Sequence, residues 1–211
     1  MIAIIDSGIA NLRSVQKGFE RVGHEAKIVE DPRLLSEAAG IVLPGVGAFA
    51  DGIDKLSRHG FIEPLRRAIE QGRPVLGICL GLHFLFSESE EFGLHRGMDL
   101  LPGRERRFLA NMPDPAIPGA TLKVPHMGWN RVRIVRPAPI LAGLPEEPFF
   151  YFVHSYYVEP ADSNVTAGVT EYGRWFTSVI WRDNLFATQF HPEKSQASGL
   201  KLLANFAALT R

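Results

Sequence analysis

The only cysteine of the 211-residue chain, Cys79, lies between two glycines in the stretch VLGICLGLHF (75–84). A strand that turns sharply into a helix projects one side chain above the sheet edge, and flanking glycines permit the close approach, as in the G-x-S-x-G nucleophile elbow. The positive helix end would lower the thiol pKa, and the Leu80 backbone N–H would face an oxyanion. We therefore predict a nucleophile, although a buried cysteine acting as a small apolar residue is the alternative.

A histidine and a carboxylate stand two residues apart much later, in FATQFHPEKS (186–195). In an extended segment the side chains of His191 and Glu193 can lie on the same side. A carboxylate beside an imidazole fixes its tautomer and stabilises its charged form, which is the general base that a nucleophile needs. Such a pair is more often solvated in a loop. It indicates catalysis here only because the same chain also has the Cys79 elbow.

A Gly-x-Gly loop follows a predicted strand in LPGVGAF (43–49). Backbone N–H groups around Gly45 and Gly47 could point at an anion or a carbonyl oxygen. Most turns of this kind are only turns, so the loop by itself is a weak indication of an oxyanion hole.

The first half of the chain predicts the frame that carries Cys79. Short apolar runs predict strands, apolar residues at helical spacing from Leu12 to Val22 predict one helix, and another helix is predicted to end at Gly72. The predicted strands are 2–6, 26–29, 40–45 and 74–79, and the second helix covers 61–72. Strands alternating with helices in this way indicate a parallel sheet covered on both faces.

The second half predicts a different kind of sheet. A turn-rich loop at 111–120 precedes β-type runs joined by shorter connections, and a last helix is predicted near 197–208. The runs are 131–135, 149–158, 177–181 and 185–190. We expect one α/β domain over 1–211, with a mostly parallel central sheet, helices on both faces, and a mixed or antiparallel C-terminal portion.

Composition narrows the class of function. Lys plus Arg and Asp plus Glu both total 23, so the net charge is zero and gives no indication of a nucleic-acid partner. One cysteine suits a reducing cytoplasm, where we expect the protein. Asp6 interrupts the first apolar run, which argues against a secretory signal, and no apolar stretch approaches the roughly 20 residues that span a membrane. The seven histidines show no clustered metal-ligand spacing, so we expect no metal and no cofactor.

The motifs together resemble class I glutamine amidotransferases, whose hallmark is a Cys–His–Glu triad. Within that family the sequence most resembles the glutaminase subunits of imidazole glycerol phosphate synthases. This narrower resemblance extends over nearly the whole chain. It rests on PGVGAFADGI (44–53), KVPHMGWN (123–130), YFVHSYY (151–157), ATQFHPEKS (187–195) and the opening DSGIANLRSV (6–15).

The resemblance implies a role for particular residues. Cys79 would be the nucleophile, His191 the general acid and base, and Glu193 its orienting carboxylate. Backbone N–H groups of Leu80 and of the loop with Val46 and Gly47 would stabilise the oxyanion. The glutamine pocket would include Gly45, His83, Glu91, His154, Ser155 and Tyr156, with Glu91 on the substrate ammonium group. The partner interface would include Asn11, His126, Met127, Gly128, Trp129 and Lys194.

The resemblance also implies a partner. Family members hydrolyse glutamine and pass the ammonia through a tunnel to a (β/α)₈-barrel cyclase subunit, with which they form a heterodimer. There the ammonia reacts with a phosphoribulosyl aminoimidazole-carboxamide intermediate (PRFAR) and gives imidazole glycerol phosphate and AICAR. Two alternatives stay open: a glutaminase that supplies ammonia to another acceptor, such as a sugar, and a non-catalytic regulatory subunit.

Three positions depart from the family pattern. His83 stands where the family has Gln, and Ser7 and Ala10 replace a Tyr and a Gly of the opening turn. A neutral imidazole at position 83 would keep a polar contact with glutamine. Glutamine use would then fall as the pH drops through about 6.5, where the imidazole gains a proton. Alternatively, His83 packs into the helix layer without touching the substrate.

Overall fold

The computed structural model describes residues 1–8, 11–115 and 117–210, and a parallel sheet forms its centre. The strand order is β2-β1-β3-β4-β14, and every neighbouring pair is parallel. The strands are β1 (Ile2–Ile5), β2 (Ala26–Val29), β3 (Gly40–Gly45), β4 (Val75–Cys79) and β14 (Leu185–Thr188). The four strands predicted in the first half are therefore confirmed. Strands β3 and β4 end side by side, with Gly45 paired to Cys79.

Mostly antiparallel strands extend the sheet beyond β14, in the order β13-β11-β7-β5-β6; β12 also pairs with β13, and β9 pairs with β12. The mixed C-terminal portion expected from the sequence is confirmed. These strands are β5 (Phe86–Ser89), β6 (His95–Arg96), β7 (Leu101–Arg107), β9 (Arg133–Ile134), β11 (Tyr156–Pro160), β12 (Thr166–Glu171) and β13 (Trp175–Arg182). A separate antiparallel pair consists of β8 (His126–Arg131) and β10 (Phe149–His154).

The apolar run 149–158 differs from the single strand that the sequence predicts. It breaks at Ser155, so that β10 pairs with β8 whereas β11 pairs with β7 of the large sheet. A hydrogen bond of 2.7 Å from His154 Nδ1 to the Tyr156 carbonyl spans the break. Periodicity alone cannot reveal this break, because both halves are apolar and β-prone.

Helices cover both faces of the sheet, as predicted. Ile2 and Ile4 of β1 pack in the same core cluster as Phe19 and Phe206, whereas Ala3 and Ile5 point to the opposite cluster. The helices are α1 (Leu12–Arg21), α2 (Phe49–Arg58), α3 (Ile62–Glu70), α4 (Leu80–His83) and α5 (Gln196–Ala208). Helix α2 was not expected from the sequence. Over the described ranges, no helix is long and apolar enough to cross a membrane.

Candidate active site

Cys79 occupies a strained turn between β4 and α4. Its backbone has φ 54° and ψ −111°, a region that non-glycine residues rarely adopt. A Cβ atom at Gly81 would lie 1.8 Å from the Leu43 carbonyl oxygen, and one at Gly77 would lie 2.9 Å from the Gly81 carbonyl oxygen. Both glycines are therefore required by close packing under the elbow, as their spacing around Cys79 predicts.

The helix after Cys79 has only one turn. Helix α4 contains four residues, so it supplies little of the macrodipole that we expected to activate the thiol. Burial would raise the pKa of Cys79, but hydrogen bonding and charge from His191, together with the charge of His83, lower it below its usual value. Two imidazoles, rather than a long helix, therefore favour the thiolate.

His191 and Glu193 form a buried pair. The distance from His191 Nδ1 to Glu193 Oε1 is 2.8 Å, and the two side chains are 4% and 2% exposed. His191 has the extended backbone that we expected and is the N-cap of a 3₁₀ turn (Pro192–Lys194), whereas Glu193 lies inside that turn. Burial would lower the pKa of His191, but the interactions with Cys79 and Glu193 raise it to about 10. Since Nδ1 is bonded to Glu193, Nε2 is the ring nitrogen that is available to interact with the Cys79 thiol.

The turn that carries His191 is fastened to strand β10. The His191 backbone N–H donates to the Tyr151 carbonyl at 3.0 Å, and Ser195 Oγ donates to the His191 carbonyl at 2.6 Å. Ser195 Oγ also accepts from the Tyr151 N–H at 2.9 Å. The position of the imidazole therefore depends on β10, which pairs with β8.

A cavity of about 550 Å³ opens above Cys79, a volume within the usual range for small-molecule sites. Most of the residues predicted for the site meet there: Val46, Gly47, Cys79, Leu80, His83, Glu91, His154, Ser155, Tyr156, His191 and Lys194. Glu193 lies behind His191, and Gly45 packs beneath Leu80. The wall also includes residues that sequence reasoning missed, namely Phe92, Glu105, Arg107, Pro125 and Val153.

Glu91 is buried at the wall of this cavity. Its Oε2 accepts the backbone N–H of Phe49 at 2.5 Å, at the start of α2. Helix α2 lacks a side-chain cap of its own, so Glu91 serves in that place. Burial raises the pKa of Glu91, and the nearby charge of Glu105 adds to this.

His83 both packs into the interior and lines the cavity. The residue is 3% exposed; Nδ1 contacts Glu105 Oε1 closely, and Nε2 lies 2.9 Å from Gln189 Oε1. Burial would lower the pKa of His83, but the charge and hydrogen bond of Glu105 raise it to about 9. The expected titration near 6.5 is therefore wrong. No local pattern indicates a role for Glu105, which lies in the arginine-rich strand β7.

Two further histidines, His126 and His154, form a hydrogen-bonded pair beside the cavity. His126 Nδ1 and His154 Nε2 are 2.9 Å apart, and His154 Nδ1 donates to the Tyr156 carbonyl. His154 Nε2 is thus the acceptor and His126 Nδ1 the donor, and Asn130 Nδ2 donates to His126 Nε2 at 3.2 Å. Burial lowers the pKa of His126 to about 4 and that of His154 well below its usual value. Both rings are therefore neutral.

Strand β8 alternates between inside and outside. His126 is buried, whereas Met127 and Trp129 are 62% and 46% exposed, with Gly128 between them. Trp129 contacts the Tyr151 ring edge-on at 6.2 Å between centroids, and Lys194 Nζ lies 5.9 Å from the same ring. The side chains of Met127, Trp129 and Lys194 define an outer face next to the cavity, which we call the β8 face.

The remaining predicted interface residue lies at the start of α1. Asn11 is the N-cap of this helix and its side chain accepts the Ser14 N–H at 3.4 Å. Of the departures in the opening turn, Ser7 is buried, and Ala10 lies outside the described residues. The interface roles stay predictions, and that of His126 would have to be indirect because its ring is enclosed. Among the described residues, no group of three or more His, Cys, Asp or Glu could hold a metal ion.

The fold and the elbow agree with a comparison to known families. The family model "Glutamine amidotransferase class-I" matches residues 3–209, so the chain belongs to the class I glutamine amidotransferases and is an enzyme of that class. Two solved structures share the fold at low identity. A glutamine amidotransferase has a TM-score of 0.74 at 17% identity, covering 100% of this chain and 99% of its own. The structure of PurLQS from Thermotoga maritima has a TM-score of 0.77 at 16% identity, and the match covers 100% of this chain and 98% of that chain.

Full-length relatives narrow the family. The chain is 57% identical to imidazole glycerol phosphate synthase subunit HisH of Syntrophotalea carbinolica, over 98% of each chain. It is 52% identical to the HisH subunit of Geobacter sulfurreducens, over 99% of this chain and 98% of that one. The HisH subunit of Moorella thermoacetica is 50% identical, over 100% of this chain and 95% of its own.

Proposed function

We propose that the chain is the glutaminase subunit of an imidazole glycerol phosphate synthase, with Cys79, His191 and Glu193 as its catalytic triad. The observation that carries the proposal is the strained elbow, which presents Cys79 to a cavity shared with the His191–Glu193 pair. The relatives named HisH support the choice of enzyme.

In the first half of the reaction, the Cys79 thiolate attacks the side-chain amide carbon of glutamine. The amide oxygen becomes an oxyanion, for which the Leu80 N–H and the Val46–Gly47 loop are the proposed donors. His191 Nε2 then gives its proton to the amide nitrogen, ammonia leaves, and a glutamyl thioester remains on Cys79. Glu193 keeps Nδ1 protonated and so directs Nε2 to this task.

In the second half, a water molecule attacks the thioester. Neutral His191 accepts a proton from the water, the carbon–sulfur bond breaks, and glutamate and the Cys79 thiolate are released. The buried imidazolium that forms is stabilised by Glu193 and by the returning thiolate.

The polar wall of the cavity suits the amino acid end of glutamine. Glu91 is a buried carboxylate with one oxygen held by Phe49, which leaves the other to pair with the substrate ammonium group. Ser155 and Tyr156 would bind the α-carboxylate through main chain and hydroxyls, and the His154 bond to the Tyr156 carbonyl holds this segment in place.

The proposed acceptor lies in a partner subunit. Ammonia would pass to a (β/α)₈-barrel cyclase that converts PRFAR into imidazole glycerol phosphate and AICAR. The β8 face is the proposed docking surface because Met127 and Trp129 are large, apolar and exposed beside the cavity.

The test is reconstitution with a cyclase subunit of the HisH relatives' enzyme. We expect glutamine-dependent formation of AICAR from PRFAR, and we expect Cys79→Ser to abolish it while product formation from added ammonium salt persists. Ammonia supply to another acceptor would give glutamine hydrolysis without AICAR. Retained glutamine use in Cys79→Ser would contradict the assignment of the nucleophile.

A further inference from the structure

Cys79 is flanked by two histidine–carboxylate pairs, and the proposed mechanism uses only one of them. His191 with Glu193 is the first pair, and His83 with Glu105 is the second. His83 and Glu105 are 4% and 1% exposed in their side chains, and both line the cavity that contains the thiol. A buried charged pair is costly to form, so its place beside a nucleophile calls for an explanation.

The contacts of His83 favour the charged form of the ring. Nδ1 faces a carboxylate oxygen of Glu105, and Nε2 faces the amide oxygen of Gln189. With the Gln189 amide in this orientation both partners are acceptors, so both ring nitrogens donate, which only an imidazolium can do. Glu105 lies on β7 and Gln189 follows β14, so two separate strands hold the ring.

Other ionisable groups also face His83. The thiol of Cys79 favours the charged ring, and Glu91 interacts with it from the turn after β5. His154 is neutral and near enough for its own charging to be opposed by His83. The groups around the ring are therefore two carboxylates, one thiol and one neutral imidazole.

We propose that His83 is a positioning residue for the reaction at Cys79: the ring, held as an imidazolium by Glu105 and Gln189, stabilises the Cys79 thiolate by its charge, in addition to the stabilisation by His191. This inference rests on the proposed role of Cys79. It assigns to the family's Gln position, in this chain, an electrostatic task that a neutral amide cannot perform.

The first measurement is the protonation state of the ring. ¹⁵N NMR of the protein with labelled histidine should show both His83 nitrogens protonated at pH 7, with titration near pH 9. The assignment uses the signals that disappear in His83→Gln. A neutral His83 ring at pH 7 would overturn the proposal.

The second measurement is the rate of Cys79 alkylation by iodoacetamide against pH, without glutamine. Because Cys79 is the only cysteine, the rate reports its thiolate. The midpoint of the rate against pH reports the pKa of the Cys79 thiol. We expect this midpoint to rise by about one pH unit in His83→Gln, so that alkylation slows about tenfold at any pH below the midpoints of both proteins. His59→Gln, at an exposed position after α2, is the matched control and should leave the midpoint unchanged.

Glu105→Gln separates the proposed role from simple charge proximity. If Glu105 acts by keeping His83 charged, its loss raises the Cys79 midpoint, whereas loss of a merely nearby negative charge would lower it. The double variant His83→Gln/Glu105→Gln carries no buried unpaired charge and should match the raised midpoint of either single variant. A double variant with the wild-type midpoint would overturn this inference.

The same experiment tests the proposed function separately. A wild-type midpoint at the ordinary thiol value of about 8.5 would contradict the activation of Cys79 by either imidazole. A low wild-type midpoint that the double variant leaves unchanged would contradict only the role of His83.

Discussion

At the scale of single residues, the elbow depends on a missing side chain as much as on the thiol. We predict that Gly81→Ala destabilises the protein by more than about 3 kcal/mol and removes glutamine hydrolysis, because the added Cβ would lie 1.8 Å from the Leu43 carbonyl oxygen. Urea unfolding and glutamate release measure the two effects. Gly23→Ala is the control: its φ is +79° with nothing near the added Cβ, so only backbone strain of about 1–2 kcal/mol applies. Equal destabilisation of the two variants would show that the contact with Leu43 can relax.

Glu193 provides the second prediction at this scale. Glu193→Gln keeps the size of the side chain but removes the charge that holds His191 Nδ1–H, so the wrong tautomer is favoured. We expect glutamine-dependent turnover to fall about 10²- to 10⁴-fold, while the cyclase partner still uses added ammonium salt. The exposed Glu70→Gln on α3 should behave as wild type. A loss of less than tenfold would argue that Glu193 does not orient the imidazole.

At the scale of elements, the β8–β10 pair owes part of its stability to neutral histidines. The pKa of His126 is about 4 in the folded state, below its ordinary value of about 6.5, and that of His154 is also lowered. The unfolded chain therefore binds protons first as the pH falls. The free energy of unfolding should decrease from about pH 6.5 towards pH 4, by up to about 1.4 kcal/mol per pH unit for each histidine.

His126→Phe tests this prediction. The phenyl ring can keep the stacking on Phe152 and Tyr172 but cannot titrate or donate to His154. We expect lower stability at pH 7, by about 1–3 kcal/mol, together with a shallower loss between pH 6.5 and 4. Urea unfolding at several pH values measures both, with the exposed His59→Gln as control. An acid slope equal to that of wild type would exclude His126 as its source.

At the scale of the whole molecule, the β8 face joins the proposed partner surface to the catalytic turn. Trp129 contacts Tyr151, whose backbone holds both His191 and Ser195. We predict that Trp129→Ala weakens binding of the cyclase subunit about 30-fold or more, as hot-spot aromatic residues do, with little effect on unfolding. Titration calorimetry gives the dissociation constant.

Leu34→Ala is the control for this surface. Leu34 is also a large exposed apolar residue, but its 3₁₀ helix lies near the start of β1, where the Ala39 N–H donates to the Met1 carbonyl. It should not affect binding. If Trp129→Ala bound the cyclase as well as Leu34→Ala, the docking surface would have to lie elsewhere.

The sequence by itself determined the parallel frame and the candidate triad. Buried strands between helices produce short continuous apolar runs, so β1 to β4 and the position of Cys79 at the end of β4 could be predicted from local pattern. The carboxyl ends of parallel strands share one edge, which is why Gly45 and Cys79 are neighbours. The residue types of His191 and Glu193 also indicated their pairing, because they are close along the chain.

Only the tertiary structure decided the electrostatics around Cys79. Glu105 approaches His83 from β7, and Gln189 approaches from beyond β14, so no local pattern predicts that His83 has a buried counter-ion. The break at Ser155 and the tautomers of His126 and His154 likewise depend on which strands become neighbours. A pKa responds to burial and charge within a few ångströms in space, and that neighbourhood exists only after distant segments have packed together.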